Sequence, residues 1–183
     1  MNKKLLVVVD MQNDFVLPNG NLSISGADRI IQPMNDFLQT NTFDAILLTF
    51  DTHTEEHYPN SEEGKMFPIH CIKGSFGWNL AIADPQNSIE TPCQKLEKGV
   101  FDMWAEHPAL GEINPKNWKV YIIGVAADYC VKYAIQGFLE RGFQVEVIKD
   151  LTCGIQRQME QVVVEDFSDY LNTGQLQITA EVG

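Results

Sequence analysis

Four things are scarce in this chain of 183 residues, and each scarcity removes a class of protein. No apolar run approaches the roughly 20 residues that a membrane-spanning helix needs. The four cysteines, Cys71, Cys93, Cys130 and Cys153, form no CxxC pair and have no close spacing, so the expectation is reduced thiols in the cytoplasm. Basic residues are few: 13 Lys and Arg stand against 25 Asp and Glu, a net charge of −12, which makes nucleic acid and anionic membrane surfaces poor partners. Low-complexity tracts are absent, and with 44% hydrophobic and 10% aromatic residues the composition argues against disorder. It suits a single domain, residues 1–183, with a substantial core. The opening MNKKLLVVVD has a superficial likeness to a signal peptide. Its apolar run is short and meets Asp10 at once, so it reads as a buried strand.

What is present is an alternation of strand and helix patterns. LLVVV runs into Asp10, AILLTF into Asp51, and VYIIG into VAADYC. Between the first two lies a polar, glycine-rich loop, residues 11–26. A helical stretch follows from Ala27 to Gln39, with Ile30, Ile31, Met34, Phe37 and Leu38 on one face and Pro33 obscuring its start. Residues 51–93 show little periodicity and many turn formers, and loops of that length in a compact domain are usually functional. Asp128 to Arg141 is a predicted helix burying Val131, Ala134, Ile135, Phe138 and Leu139, with Gly142 as its stop. QVEVI is a further strand, Gln156 to Leu171 a helix burying Met159, Val163, Phe167 and Tyr170, and LQITA a last strand. The fold class is therefore α/β, a mainly parallel open sheet with helices on both faces.

In such a sheet the carboxyl ends of the strands share one edge, where ligand sites form. Asp10, Asp51 with His53, and Cys130 would meet there although they are far apart in sequence. Cys130 lies two residues after Asp128, a good N-cap, so it falls in the first helical turn. Unpaired N–H groups and the helix dipole favour a thiolate there and lower the thiol pKa. The alternative is a small buried hydrophobe, the preferred reading of the other three cysteines. Asp10 follows five apolar residues and needs a partner. Lys98, in KLEKGVF, could give it a structural salt bridge, yet a carboxylate, a cation and a thiol are also what amide hydrolysis uses. Asp51, His53, His57, Glu63 and His70 share one loop, which holds three of the chain's 4 histidines. Donors of this kind suit zinc, iron or manganese; the plain alternative is a polar surface loop.

VVVDMQNDF, DTH, FPIHC, EKGVF and GVAADYCV, in this order, resemble the isochorismatase-like cysteine hydrolases, and within them the nicotinamidase/pyrazinamidase branch. The resemblance covers nearly the whole chain and implies the three-layer α/β/α fold of that superfamily. It implies a catalytic triad of Cys130, Asp10 and Lys98, a cis peptide between Val125 and Ala126, and an oxyanion hole from the N–H groups of Ala126 and Cys130. It further implies a divalent metal, zinc first with iron or manganese as alternatives, on Asp51, His53 and His70, with Glu63 or His57 as a further ligand. Phe15 and Phe67 stand where the family lines its ring pocket, with Phe101 and Trp104 as looser matches. Ala127 stands where members usually have Thr, which leaves substrate identity more open. The implied reaction is conversion of nicotinamide to nicotinate and ammonia through a cysteine thioester. Alternatives are another small-amide or isochorismate-type hydrolase, or a non-catalytic binding module of the same fold. The expected partners are a small carboxamide and further copies of the chain.

Overall fold

A computed structural model describes residues 3–110 and 113–180. In chain order its elements are β1 (Lys3–Val9), α1 (Asn13–Val16), α2 (Ile31–Thr40), β2 (Ala45–Asp51), α3 (Pro85–Ser88) and β3 (Cys93–Lys98). There follow α4 (Met103–Glu106), β4 (Trp118–Val125), α5 (Cys130–Glu140), β5 (Gln144–Cys153), α6 (Met159–Asp166), α7 (Ser168–Thr173) and β6 (Leu176–Thr179). The six strands form one sheet in the order β3-β2-β1-β4-β5-β6, and every pairing is parallel.

Period-two alternation in β1 sorts the core into two layers. Leu5, Val7 and Val9 point to one face, where Val131, Ile135 and Phe138 of α5 and Val162 and Val163 of α6 cover them. Leu6 and Val8 point to the other, against Met34, Phe37 and Leu38 of α2. The chain builds outward from β1 to β2 and β3, then returns to place β4 on β1's free side. Strand order therefore reverses between β1 and β4, where an open sheet leaves its ligand crevice. Gly124 sits at this point with φ +119°, so close to β1 that a Cβ would run into the Val9 backbone. The Val125–Ala126 peptide that follows is cis.

Three elements differ from the sequence expectation. β3 carries the pattern CQKLEK, in which only Leu96 and Lys98 are buried. As an edge strand it needs one apolar contact row, so a hydrophobic run is absent and the strand goes unmarked where the long loop ends. The helix predicted over 27–39 opens as a 3-10 turn, Ala27–Ile30, and becomes α-helical at Ile31. Pro33 thus falls in the first α-helical turn, where its missing N–H breaks no bond. The segment 156–171 is two helices, because Phe167 leaves helical geometry and drops its ring into the core. Among the described residues no helix is long and apolar enough to cross a membrane.

Candidate active site

Asp10 is the first residue past β1. It takes a left-handed turn, φ +48°, that carries its side chain out of the strand's alternation, and it is fully buried. Both carboxylate oxygens are engaged: Thr49 Oγ1 donates to Oδ1 at 2.6 Å and Lys98 Nζ to Oδ2 at 2.7 Å. The same ammonium reaches Cys130 Sγ at 3.4 Å. Parallel register puts it there, since Lys98 ends β3 directly beside Asp51, the end of β2. Burial alone would strip the Lys98 charge, but Asp10 and the neighbouring acids push its pKa well above the ordinary lysine range.

Cys130 is the first residue of α5, so its own N–H is one that has no partner inside the helix. The expected thiolate is not its resting state. Burial pushes the thiol pKa well up, Lys98 opposes this, and Asp10, Asp51 and Glu63 reinforce it. Three carboxylates and an apolar surround outweigh the helix start. Asp128 is also not the cap of α5, which follows Tyr129 without a side-chain cap. Its carboxylate instead accepts the N–H groups of Ile155, Gln156 and Arg157, tying the loop after β5 to the turn that precedes the cysteine.

The second cluster lies one strand away. Asp51, His53, Glu63 and His70, all buried, bring ligand atoms within 4.8 Å of one another. His53 Nε2 lies 2.9 Å from Asp51 Oδ2 and 3.2 Å from Glu63 Oε2. His70 Nε2 lies 2.9 Å from the same Asp51 oxygen, yet without hydrogen-bond alignment. Asp51 Oδ1, Glu63 Oε1 and His70 Nε2 have no hydrogen-bond partner, an expensive arrangement for buried polar atoms. The other nitrogen of His70 faces Pro68 O at 2.8 Å and the Tyr58 hydroxyl at 3.0 Å, which fixes the ring and turns Nε2 inward. Two imidazoles and two carboxylates with convergent ligand atoms, one of them the unpartnered His70 Nε2, fit a divalent cation.

Without one, burial would lower both histidine pKa values, but the adjacent carboxylates of Asp51 and Glu63 raise His53 to about 9 and His70 to about 10. Asp51 is pulled well below the carboxylate range although burial opposes this, chiefly by Lys98 and then by the two histidines. Lys98 Nζ stands 3.9 Å from Asp51 Oδ1 and so touches both clusters. His57 does not join them. It is exposed and bonded to Thr54, because the 3-10 turn Tyr58–Asn60 follows it and carries Tyr58, not His57, inward.

The aromatic residues divide. Phe15 packs on His70 with ring centroids 5.2 Å apart. Phe67 and Phe101 meet at 5.8 Å, and each also meets Tyr129, at 5.6 and 5.2 Å. Trp104 is elsewhere: its ring is buried against Phe138 of α5 at 4.8 Å and lies beneath the Arg141 guanidinium. Close approach to Gly137, where any Cβ would strike the indole, seats it in that helix contact. Ala127 is fully buried in the α5-side core, its N–H bonded to Cys153 O.

Sequence reasoning passed over Tyr129, Thr49, Tyr58 and Gln12. Thr49 carried a signal, as the one polar residue inside AILLTF. Gln12 lay within a quoted motif without a role, and Tyr58 carried no signal.

The chain is similar to several known proteins. The chain is 28% identical to a nicotinamidase of Saccharomyces cerevisiae over 188 residues, covering 81% of this chain and 87% of that one. It is 24% identical to a nicotinamidase/pyrazinamidase of Mycobacterium tuberculosis, over 89% of this chain and 93% of that one. The structure of a Pyrococcus horikoshii pyrazinamidase in complex with zinc superposes with a TM-score of 0.72 at 26% identity, covering 97% and 99% of the two chains. The family described as the isochorismatase domain matches residues 4–180, and to that family the chain belongs.

Proposed function

We propose that this chain is a metal-dependent nicotinamidase acting through a Cys130 thioester. The observation that carries the reading is the single buried ammonium of Lys98, 2.7 Å from Asp10 and 3.4 Å from the Cys130 sulfur, beside a four-residue metal-ligand set. The activities of the similar proteins support the substrate, and the zinc in the Pyrococcus pyrazinamidase supports zinc as the metal.

The resting site holds Asp10 paired with a cationic Lys98, beside a neutral thiol. As Cys130 Sγ attacks the carboxamide carbon, its proton passes to Asp10. N–H groups of Ala126 and Cys130 receive the oxyanion. Asp10 then delivers the proton to the departing nitrogen, the C–N bond breaks, and ammonia leaves a thioester. Water adds to that thioester and gives its proton to Asp10. The C–S bond breaks, the proton on Asp10 goes to sulfur, and nicotinic acid leaves, releasing its own proton to solvent as nicotinate. Lys98 is already protonated, so its part is to orient Asp10 and hold negative charge next to the sulfur. A divalent metal on Asp51, His53, Glu63 and His70 would supply fixed positive charge for orienting the heteroaromatic ring and polarising water. Phe15, Phe67, Phe101 and Tyr129 offer the ring its flat contacts. Four unpaired thiols suit a reducing compartment, the cytoplasm.

Ammonia release from a panel of nicotinamide, pyrazinamide, benzamide and aliphatic amides tests the reading. Nicotinamide and pyrazinamide should be turned over well ahead of the rest. Preference for an aliphatic amide, or no release from any amide, would replace it with a different hydrolase of the family or a binding module.

A further inference from the structure

Gln12 is fully buried and immediately precedes α1, and its side chain makes no capping bond to that helix. Its side-chain amide is instead used up by three backbone groups. Nε2 donates to Asp51 O at 2.8 Å and to Trp78 O at 3.0 Å, while Oε1 accepts from Asp51 N at 2.8 Å. The arrangement has one orientation: a flipped amide would set its NH₂ against an N–H and its oxygen against two carbonyls.

The reason for it lies in how β1 ends. Val9 is paired with Thr49, and Asp10 N still donates to Thr49 O at 3.2 Å. By the same register the next ladder partner of β1 would be Asp51. The chain has turned away at Asp10, so no peptide is left to meet it. The primary amide of Gln12 fills that place, with a donor and an acceptor spaced like those of a peptide unit. β1 can therefore release Asp10 into the crevice while β2 stays extended for two more residues, Phe50 and Asp51. Asp51 supplies one arm of the buried ligand set.

We propose that Gln12 is the positioning residue of the metal centre, a side-chain substitute for a missing strand that sets the Asp51 backbone and with it the affinity for a divalent cation. This rests on the metal-centre reading of the Asp51, His53, Glu63, His70 cluster. Groups that orient ligands without touching the metal commonly change metal affinity about 10–100-fold when altered.

The test is zinc affinity of the full-length, metal-stripped protein, measured by competition with a chromogenic chelator. Gln12→Glu keeps the shape and replaces the donor with oxygen facing two carbonyls; zinc affinity should fall about 10–100-fold. Gln12→Asn keeps an uncharged amide that is one methylene too short to span both Asp51 groups, and should also weaken zinc. It guards against misfolding caused by a buried charge. Asn13→Ala is the control. It is the first residue of the helix that Gln12 precedes, is also buried, and loses a 2.8 Å bond to Phe76 O, which belongs to no ligand residue. It should lower the unfolding temperature and keep nearly wild-type zinc affinity. Wild-type affinity in both Gln12 variants, or an equal loss in Asn13→Ala, would overturn the role of Gln12 while leaving the metal centre standing. A wild-type protein that binds no zinc would overturn the metal centre itself.

Discussion

The two buried clusters at the carboxyl edge of the sheet differ in how completely the protein satisfies them. Around Asp10 each charge has its counterpart: one carboxylate oxygen faces Thr49, the other Lys98, and Lys98 also meets the cysteine sulfur. Around Asp51 the count does not close, and three buried atoms, Asp51 Oδ1, Glu63 Oε1 and His70 Nε2, have no hydrogen-bond partner. The first cluster is complete in itself and can carry out proton transfer with its own groups. The second is arranged around something that is not protein. Lys98, within 4 Å of acids in both, is what the two clusters share.

The comparison breaks most visibly at Lys98. Lys98→Met leaves Asp10 buried beside no cation, and removing one partner of a buried pair costs about 3–5 kcal/mol of stability. Turnover should fall by about 10²-fold or more, because the proton carrier loses its orientation. Added zinc should not restore it. Calorimetric unfolding together with ammonia release checks both expectations. A Lys98→Met protein as stable and as active as wild type would remove the premise that the first cluster is a charge-balanced unit.

A smaller effect separates the clusters by pH. In metal-free protein the folded pKa values of His53 and His70, about 9 and about 10, lie above the ordinary 6.5. Their contribution to stability is therefore complete below about pH 6.5 and is lost as pH rises through 9 and 10. The unfolding temperature of the metal-stripped protein should accordingly fall between neutral pH and pH 10. Zinc-loaded protein should not follow, because ligation requires neutral imidazoles at any pH. For the same reason zinc binding at neutral pH should release protons, read as a binding enthalpy that depends on the buffer. Parallel melting curves for the stripped and loaded forms would remove the distinction.

The smallest effect concerns His57. Exposed, with its ring bonded to Thr54, it should be replaceable by alanine with unchanged zinc content, whereas Glu63→Gln should lower it. Elemental analysis of the two purified variants decides between the two residues that the sequence offered as a further ligand.

What the sequence made legible follows from the same physics. β1, β2 and β4 are buried on both faces, so they read as apolar runs and their ends could be aligned. Asp10, Asp51 and Cys130 were found that way. β3 was not, because an edge strand that buries only Leu96 and Lys98 carries no such run. Lys98 was reached through a motif and not through a strand end. Asp128 beside a helix start reads locally as a cap. Only tertiary packing shows its carboxylate turned to Ile155, Gln156 and Arg157. The thiol pKa failed for the same reason, since a helix start is local while burial and three neighbouring acids are not. Trp104 and Tyr129 show how loosely aromatic residues near a motif predict a pocket: one fills the α5 contact, the other joins Phe67 and Phe101.

The central claim is that Cys130 carries the acyl group between the two halves of the reaction. Protein quenched with acid during nicotinamide turnover, digested and analysed by peptide mass spectrometry tests it directly. The account predicts a nicotinoyl adduct on the peptide containing Cys130, absent from Cys71, Cys93 and Cys153 and lost in Cys130→Ala together with ammonia release. An adduct on a different residue, or ammonia released at the wild-type rate by Cys130→Ala, would contradict it.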